Sequence, residues 1–211
     1  MKQREVDMKN IDQPPYSIGI LGLHRSAGVT HVSVLLAHFL SDVMGLKTAI
    51  TEVSGRHDLY SLLGENVSPS KVNHLKWRNI TILDTYRQDD NHCNDFDCVI
   101  YDMGSFSHKW KETRIKLDKG LLLFMTAPWM QAMTSFTTIW DDLPSGNNNW
   151  QAVANLTTKH KQKQLGRLPT KPYVISFEPD MSLPSRDTIQ LFDHIFYSDI
   201  KTLKQYRKDN P

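Results

Sequence analysis

The residues that could do chemistry follow a short apolar run near the start of the chain. The run 18–23 leads into the turn His24-Arg-Ser-Ala-Gly-Val-Thr-His31, and Val32 to Leu40 then has the pattern of a helix. A strand, a glycine-containing loop and a helix in this order form the setting in which phosphate-binding loops are built. Phosphate binding is therefore the first chemistry to test on these residues.

The turn keeps only part of what such a loop needs. A loop of the form G-x-x-x-x-G-K-[ST] supplies backbone N–H groups, a lysine for the terminal phosphates and a hydroxyl for magnesium. In the best register Gly28 matches the second glycine and Thr30 the hydroxyl, but Leu23 replaces the first glycine and Val29 the lysine. Gly28 and Thr30 also have a simpler interpretation, in which they only form the turn and cap the first helix.

The rest of the chain alternates between apolar runs and helical patterns. Such alternation predicts an α/β fold, a three-layer, mostly parallel twisted sheet with helices on both faces. We expect residues 1–15 to form a flexible tail and residues 16–211 a single domain. The predicted strands lie at about 16–23, 47–53, 79–83, 96–101, 120–126, 150–155 and 171–177. The predicted helices lie at about 32–43, with Gly45 ending the first, and at 58–63, 130–141, 185–196 and 198–208.

Composition excludes several classes of protein. The 211 residues are 39% hydrophobic and 23% charged, with a net charge of +2, which is ordinary for a globular domain and too weakly basic to indicate nucleic-acid binding by itself. No apolar run approaches the length of about 20 residues that crosses a bilayer. The polar start of the chain lacks a signal-peptide pattern, so we expect a cytoplasmic protein. Cys93 and Cys98, beside His92, are too few for a zinc site, and we expect reduced thiols.

Residues 16–197 resemble the MinD/ParA family of deviant-loop ATPases. The family's loop has the form K-G-G-x-G-K-[ST]-[ST], and the turn from His24 to His31 aligns with it without a gap. Gly28 and Thr30 match, whereas the signature lysine and the loop lysine are replaced. The replacements are His24 and Val29 at the two lysines and Arg25 and Ser26 at the two glycines.

Four further segments resemble family motifs in the correct order. Residues 52–64 resemble the D-x-D segment, with Glu52 and Ser54 at its two aspartates. Residues 97–104 resemble the strand that ends in the magnesium-side aspartate and the switch loop. Asn155 stands where the family's asparagine contacts adenine, and residues 174–180 resemble the late segment at the base pocket.

The resemblance implies an ATP or ADP site with magnesium, in which Thr30 and Asp102 would be the metal-side residues. The nucleotide-site residues that it implies are His24, Arg25, Ser26, Ala27, Gly28, Val29, Thr30, His31, Asp102, Gly104 and Asn155. Asp102, Asn155 and the two histidines also have simpler interpretations, as residues that cap or close strands and as polar loop residues.

The substitutions weaken the case for turnover, because phosphoryl transfer depends on cations at the phosphates. We do not expect efficient hydrolysis without either lysine, and therefore assign no catalytic residue. We therefore expect an empty site that holds no cofactor, and Arg25 and Val29 filling the phosphate cradle would establish it. Weak nucleotide binding without turnover is a second possibility, and a weak ATPase using Arg25 or His24 in place of the lysines is a third.

The leading interpretation is a non-catalytic, pseudo-ATPase scaffold that acts in localisation, assembly or regulation through protein contacts. The family also implies a homodimer. A weakly active ATP switch is one alternative, and a DNA-associated partitioning or regulatory factor, using the basic segments 159–171 and 201–208, is another. The last helix carries a thin apolar stripe of Ile200, Leu203 and Tyr206, which favours a solvated helix end over membrane binding.

Overall fold

A computed structural model describes most of the predicted domain. The described residues are 15–61, 74–83, 93–106, 116–125, 136–143, 149–155, 157, 165, 168, 170–176 and 178–209. All of the predicted tail except Pro15 lies outside them, as do the start of the helix predicted at 130–141 and most of the basic segment 159–171.

The described strands form one eight-stranded sheet in the order β3-β4-β2-β5-β1-β6-β7-β8. All neighbouring strands are parallel except the hairpin pair β3 and β4. The fold class predicted from the sequence is thereby confirmed. The strands are β1 (Tyr16–Gly22), β2 (Thr48–Glu52), β3 (His74–Trp77), β4 (Ile80–Leu83), β5 (Cys98–Ser105), β6 (Lys119–Met125), β7 (Trp150–Asn155) and β8 (Tyr173–Val174).

The apolar runs form the centre of the sheet because helices cover both of its faces. The helices are α1 (Val29–His38), α2 (Asp58–Ser61), the helical residues 136–141 as α3, and α4 (Arg186–Asp209). On one face Phe39 packs against Phe192 of α4, with ring centroids 5.6 Å apart. On the other face Phe136 of α3 stacks on Trp140 at 5.3 Å and meets Phe124 of β6 at 5.5 Å.

The first helix ends as the sequence predicts. A π-helical turn, Phe39–Val43, continues α1, and the amide of Met44 donates to the carbonyl of Phe39 at 3.0 Å. Gly45 then takes a left-handed φ of +69°, which a residue with a Cβ rarely adopts. Its amide reaches the carbonyl of Ser41 at 3.2 Å, which satisfies one of the carbonyls left open at a helix end.

The closing part of the chain corrects two predictions. The two helices predicted at 185–196 and 198–208 are one continuous helix, α4, whose Asp199 forms a 3.1 Å ion pair with Lys119 of β6. The strand predicted at 171–177 is reduced to the two residues of β8. Ile200 is only 3% exposed and belongs to the core, so part of the stripe predicted on the last helix is packed inward.

Two strands differ from the sequence prediction, the edge strand β3 in its presence and the central strand β5 in its length. The short edge strand β3 falls in the weakly patterned region 65–77 and is not predicted. The strand predicted at 96–101 continues through Asp102 and Gly104 to Ser105, because this part of β5 still pairs with β1 and β2. Within the described part of the chain, no helix is long and apolar enough to cross a membrane.

Candidate functional site

The predicted loop lines a cavity of about 310 Å³ where β1, β2 and β5 end. The carboxyl ends of parallel strands are where ligands bind in open α/β sheets. The lining residues are His24, Arg25, Ser26, Ala27, Gly28, Val29, Thr30, His31, Arg56, Asp58, Gly104 and Ser105. The structure therefore brings nine of the eleven sequence-predicted site residues to one cavity, while Asp102 and Asn155 are buried and do not line it.

The loop keeps a backbone shape that glycine would adopt most easily. Gly28 precedes α1 with φ +86°, and no side chain caps the helix there. Thr30 is thus the second residue of α1 rather than its cap, which corrects the capping interpretation for this residue. Ser26 has φ +62°, although it is not glycine, at a cost of roughly 1 kcal/mol. The amides at the start of α1 have no partners within the helix, which makes the cavity wall suited to anions.

Asn155, the last residue of β7, holds the backbone of the loop through a hydrogen bond. Its side chain is 3% exposed, and Nδ2 donates to the carbonyl oxygen of Ala27 at 3.0 Å. A Cβ on Gly28 would lie only 2.2 Å from the same Nδ2. Gly28 therefore serves both the left-handed turn and the close approach of β7, and Asn155 acts on the loop backbone from the end of that strand.

Val29 and Arg25 do not fill the phosphate cradle, which is the arrangement that would have established an empty site. Val29 is 7% exposed and belongs to the apolar core. Its Cγ2 lies 2.8 Å from the position of a Cβ on Gly22, so the side chain packs against the end of β1. Arg25 is exposed at the rim of the cavity. The cavity stays open, and the position of the loop lysine provides no charge.

His24 is tied to its own chain. Its Nε2 accepts a hydrogen bond from the amide of Met125 at 3.1 Å, at the end of β6. Because that amide can only donate, the ring hydrogen must sit on Nδ1, which contacts the carbonyl oxygen of Arg25 at 2.7 Å. Both ring nitrogens are therefore used within the loop and β6, and the residue at the position of the signature lysine does not extend outward.

Asp102 and Thr30 lie together behind the loop. Asp102 is 1% exposed, and burial raises its pKa from 3.8 to about 6, although Thr30 and the amide of Gly104 favour the charged form. The amide of Gly104 donates to Oδ1 at 3.0 Å. Oδ2 is buried and has no hydrogen-bond partner among the described residues. A buried carboxylate oxygen without a partner, beside a hydroxyl, is a suitable environment for a cation.

Thr30 and Asp102 could together hold a magnesium ion, which prefers oxygen ligands. Within the described ranges, no group of three or more His, Cys, Asp or Glu residues could hold a metal. Magnesium at this place would thus take its remaining ligands from phosphate and water, as it does in phosphate-binding sites.

The loop after β2 brings Arg56 to the cavity and the first residue of α2 brings Asp58, and neither is among the site residues that the resemblance implies. Glu52, 5% exposed, organises this loop by accepting from the amide of Arg56 at 2.6 Å and from the amide of Leu59 at 3.1 Å. Nη2 of Arg56 donates to Oγ of Ser105 at 3.2 Å. The resemblance to the D-x-D segment indicates this part of the chain. It does not indicate the contact between Arg56 and Ser105, because these residues are 49 positions apart in the sequence.

His31 connects the start of α1 to the region before α4. Burial lowers the pKa of its half-buried imidazole, while the neighbouring Glu178 acts in the opposite direction. Glu178 is 5% exposed and accepts hydrogen bonds from the hydroxyls of Ser185 and Thr188. The segment predicted to resemble a base pocket thus lies beside the predicted loop.

Comparison with solved structures finds proteins that share the arrangement of strands and helices described above. A plasmid partition protein from Borrelia burgdorferi is similar at a TM-score of 0.58 and 12% identity, over 90% of this chain and 100% of its own. MinD from Pyrococcus horikoshii, complexed with Mg-ADP, has a TM-score of 0.60 and 13% identity, over 86% and 94%. McdA from Cyanothece, in complex with ATP, has a TM-score of 0.60 and 12% identity, over 88% and 96%.

Sequence comparison adds nothing to this likeness, since no family model and no curated protein matches the chain. The identities to the solved structures are low, and their similarity therefore concerns the arrangement of strands and helices. The sheet, the position of the loop and these similarities agree: the chain has the MinD/ParA-type P-loop NTPase fold.

Proposed function

We propose that this chain is a pseudo-ATPase of the MinD/ParA type, which binds a magnesium nucleotide without efficient turnover and acts as a localisation, assembly or regulatory scaffold. The observation that carries the proposal is the state of the two lysine positions. Val29 packs into the core, and His24 is tied to Met125, so neither position provides a cation to a phosphate. Loss of one stabilising group in such a site typically costs a hundredfold or more in rate.

Three features support retention of a nucleotide. The cavity of about 310 Å³ is open, and the loop keeps its left-handed turn at Gly28. Asp102 has a buried carboxylate oxygen without a hydrogen-bond partner among the described residues and lies beside the Thr30 hydroxyl, which supports a magnesium ion that phosphates would help to hold. The relatives complexed with Mg-ADP and with ATP have the same fold, which is consistent with this ligand class.

A scaffold acts through protein partners, and a homodimer is the first partner to test. If the bound nucleotide is not turned over, association should not cycle with hydrolysis. We therefore expect one oligomeric state, unchanged by incubation with Mg-ATP over hours. Light scattering after size-exclusion chromatography measures this directly. An ATP-dependent dimer that dissociates as ADP accumulates would contradict the scaffold and favour an active switch.

Nucleotide binding and turnover are tested separately. We expect purified protein to bind Mg-ATP in a calorimetric titration and to release no phosphate above the buffer rate. The variant His24→Lys/Val29→Lys restores both lysines, and we expect it to gain measurable hydrolysis. Val29→Met is the matched control, because it is larger than valine but carries no charge. Hydrolysis by the unaltered protein would refute the absence of turnover, and failure to bind any nucleotide would refute the proposed ligand.

A further inference from the structure

The cavity needs a positively charged side chain if it is to hold phosphate, and the loop from His24 to His31 provides few such side chains. His24 has both ring nitrogens in use, and Val29 is apolar and packed into the core. Two guanidinium groups remain among the described lining residues, those of Arg25 and Arg56. Both side chains are exposed, and Arg25 lies within the loop itself. Arg56 approaches from the separate loop that follows β2.

The backbone of Arg56 is fixed by a buried acceptor. Its amide donates to Oε1 of Glu52 at 2.6 Å, and the same oxygen accepts from the hydroxyl of Ser54 at 2.5 Å. Leu59, at the start of α2, donates its amide to the other oxygen of Glu52 at 3.1 Å. One carboxylate therefore holds both ends of the loop that carries Arg56. Such anchoring reduces the entropy lost when the arginine side chain binds a ligand.

The guanidinium of Arg56 has more hydrogen-bond donors than its one described side-chain contact uses. A guanidinium carries five N–H donors and no acceptor. Nη2 contacts the neutral hydroxyl of Ser105 at 3.2 Å, and no salt bridge to Arg56 occurs among the residues that the structure describes. This contact holds the side chain against the end of β5, at the cavity wall. The charge is thus positioned at the cavity but not neutralised by a bound carboxylate.

We infer that Arg56 is the phosphate-binding cation of this site and replaces, from the loop after β2, the charge that the loop lysine would supply. The inference rests on the proposed function and names the part of the ligand concerned, the terminal phosphates of a nucleoside di- or triphosphate. A guanidinium binds phosphate oxygens through two parallel hydrogen bonds. A ligand without those phosphates gains little from Arg56, so the residue sets a preference for polyphosphate over monophosphate.

The test compares nucleotides that differ only in phosphate number. The affinities of Mg-ATP, Mg-ADP and AMP are measured by competition against a fluorescent ATP analogue, using the full chain. Arg56→Ala and Arg56→Gln are expected to weaken Mg-ATP binding by roughly 10–100-fold, as for other charge-assisted hydrogen bonds, and AMP binding by less than about threefold. Arg56→Lys should retain part of the affinity because it keeps the charge. Arg25→Ala should have the smaller effect, and Lys201→Ala, exposed on α4, is the neutral control.

The outcomes separate this inference from the proposed function. If the unaltered protein binds Mg-ATP but Arg56→Ala and Arg56→Gln bind it equally well, the assignment of Arg56 is wrong and nucleotide binding stands. If Arg25→Ala causes the larger loss, the charge comes from the loop instead and the assignment is again wrong. If no nucleotide binds the unaltered protein, both proposals fail. Thermal unfolding of each variant shows whether a loss of affinity reflects a loss of fold.

Discussion

Replacing Asp102 with asparagine is expected to stabilise the protein above pH 6. Burial raises the pKa of Asp102 from 3.8 to about 6, and the charges of Glu52 and Asp58 add to the rise. Between pH 3.8 and pH 6, the carboxyl of Asp102 is therefore protonated in the folded state and ionised in the unfolded chain. Stability conferred by the protonated carboxyl is complete below pH 3.8 and is lost as pH rises through 6. The shift of about two pKa units corresponds to about 3 kcal/mol.

Asparagine removes the charge but keeps an oxygen that can accept from the amide of Gly104. The new amide donors need partners of their own, and we therefore expect a net gain of about 2 kcal/mol at pH 7.5, or roughly 4–8 °C in Tm. Thermal melts of both proteins at pH 4.5, 6 and 7.5, without nucleotide and with chelator, measure the effect. Asp193→Asn, exposed on α4, is the matched control.

The pH dependence decides whether the reasoning holds. The difference between Asp102→Asn and the unaltered protein should be largest at pH 7.5 and small at pH 4.5, where the carboxyl is mostly protonated in the folded state. A variant that is less stable at pH 7.5, or a difference that does not change with pH, would refute the argument. Mg-ATP should narrow the difference at pH 7.5, because a nearby cation stabilises the charged carboxylate.

Three further substitutions test the loop and the core by thermal or urea unfolding. Ser26→Gly should stabilise the protein by up to about 1 kcal/mol, since glycine adopts the observed φ of +62° without strain, and an unchanged midpoint would argue against strain at this residue. Asn155→Ala should cost about 1–3 kcal/mol, because it leaves the carbonyl of Ala27 without its donor; a neutral result would contradict the role of Asn155 in fixing the loop. Lys119→Ala should cost about 1 kcal/mol through loss of the Asp199 ion pair, and this loss should shrink in high salt.

The sheet was predictable where strands are buried on both faces, because such strands are continuous apolar runs. β1 and β6 are of this kind, and both are found within one residue of the predicted limits. The edge strand β3 has the pattern of an exposed edge instead, with His74 and Lys76 outward, and too few apolar residues to be recognised. The break predicted near Ser198 is absent, because the buried face of α4 continues across it through Ile195, Phe196 and Ile200.

The candidate site was predictable as a location but not as a set of contacts. The loop sequence indicated where phosphate would bind, and its residues do lie around one cavity. The direction taken by Val29 depends on the space beside Gly22, which a single sequence does not reveal. Arg56 was missed because its contact with Ser105 depends on the pairing of β2 and β5 across 49 residues. The role of every nucleotide-site residue remains a prediction for the binding experiments.

The bond between His24 and the amide of Met125 attaches the loop to the end of β6. The bond from Asn155 to the carbonyl of Ala27 attaches the same loop to the end of β7, and β6 and β7 are neighbours in the sheet. A shift of either strand end would therefore be transmitted to the loop backbone, and we expect the loop and these two strand ends to move as one unit.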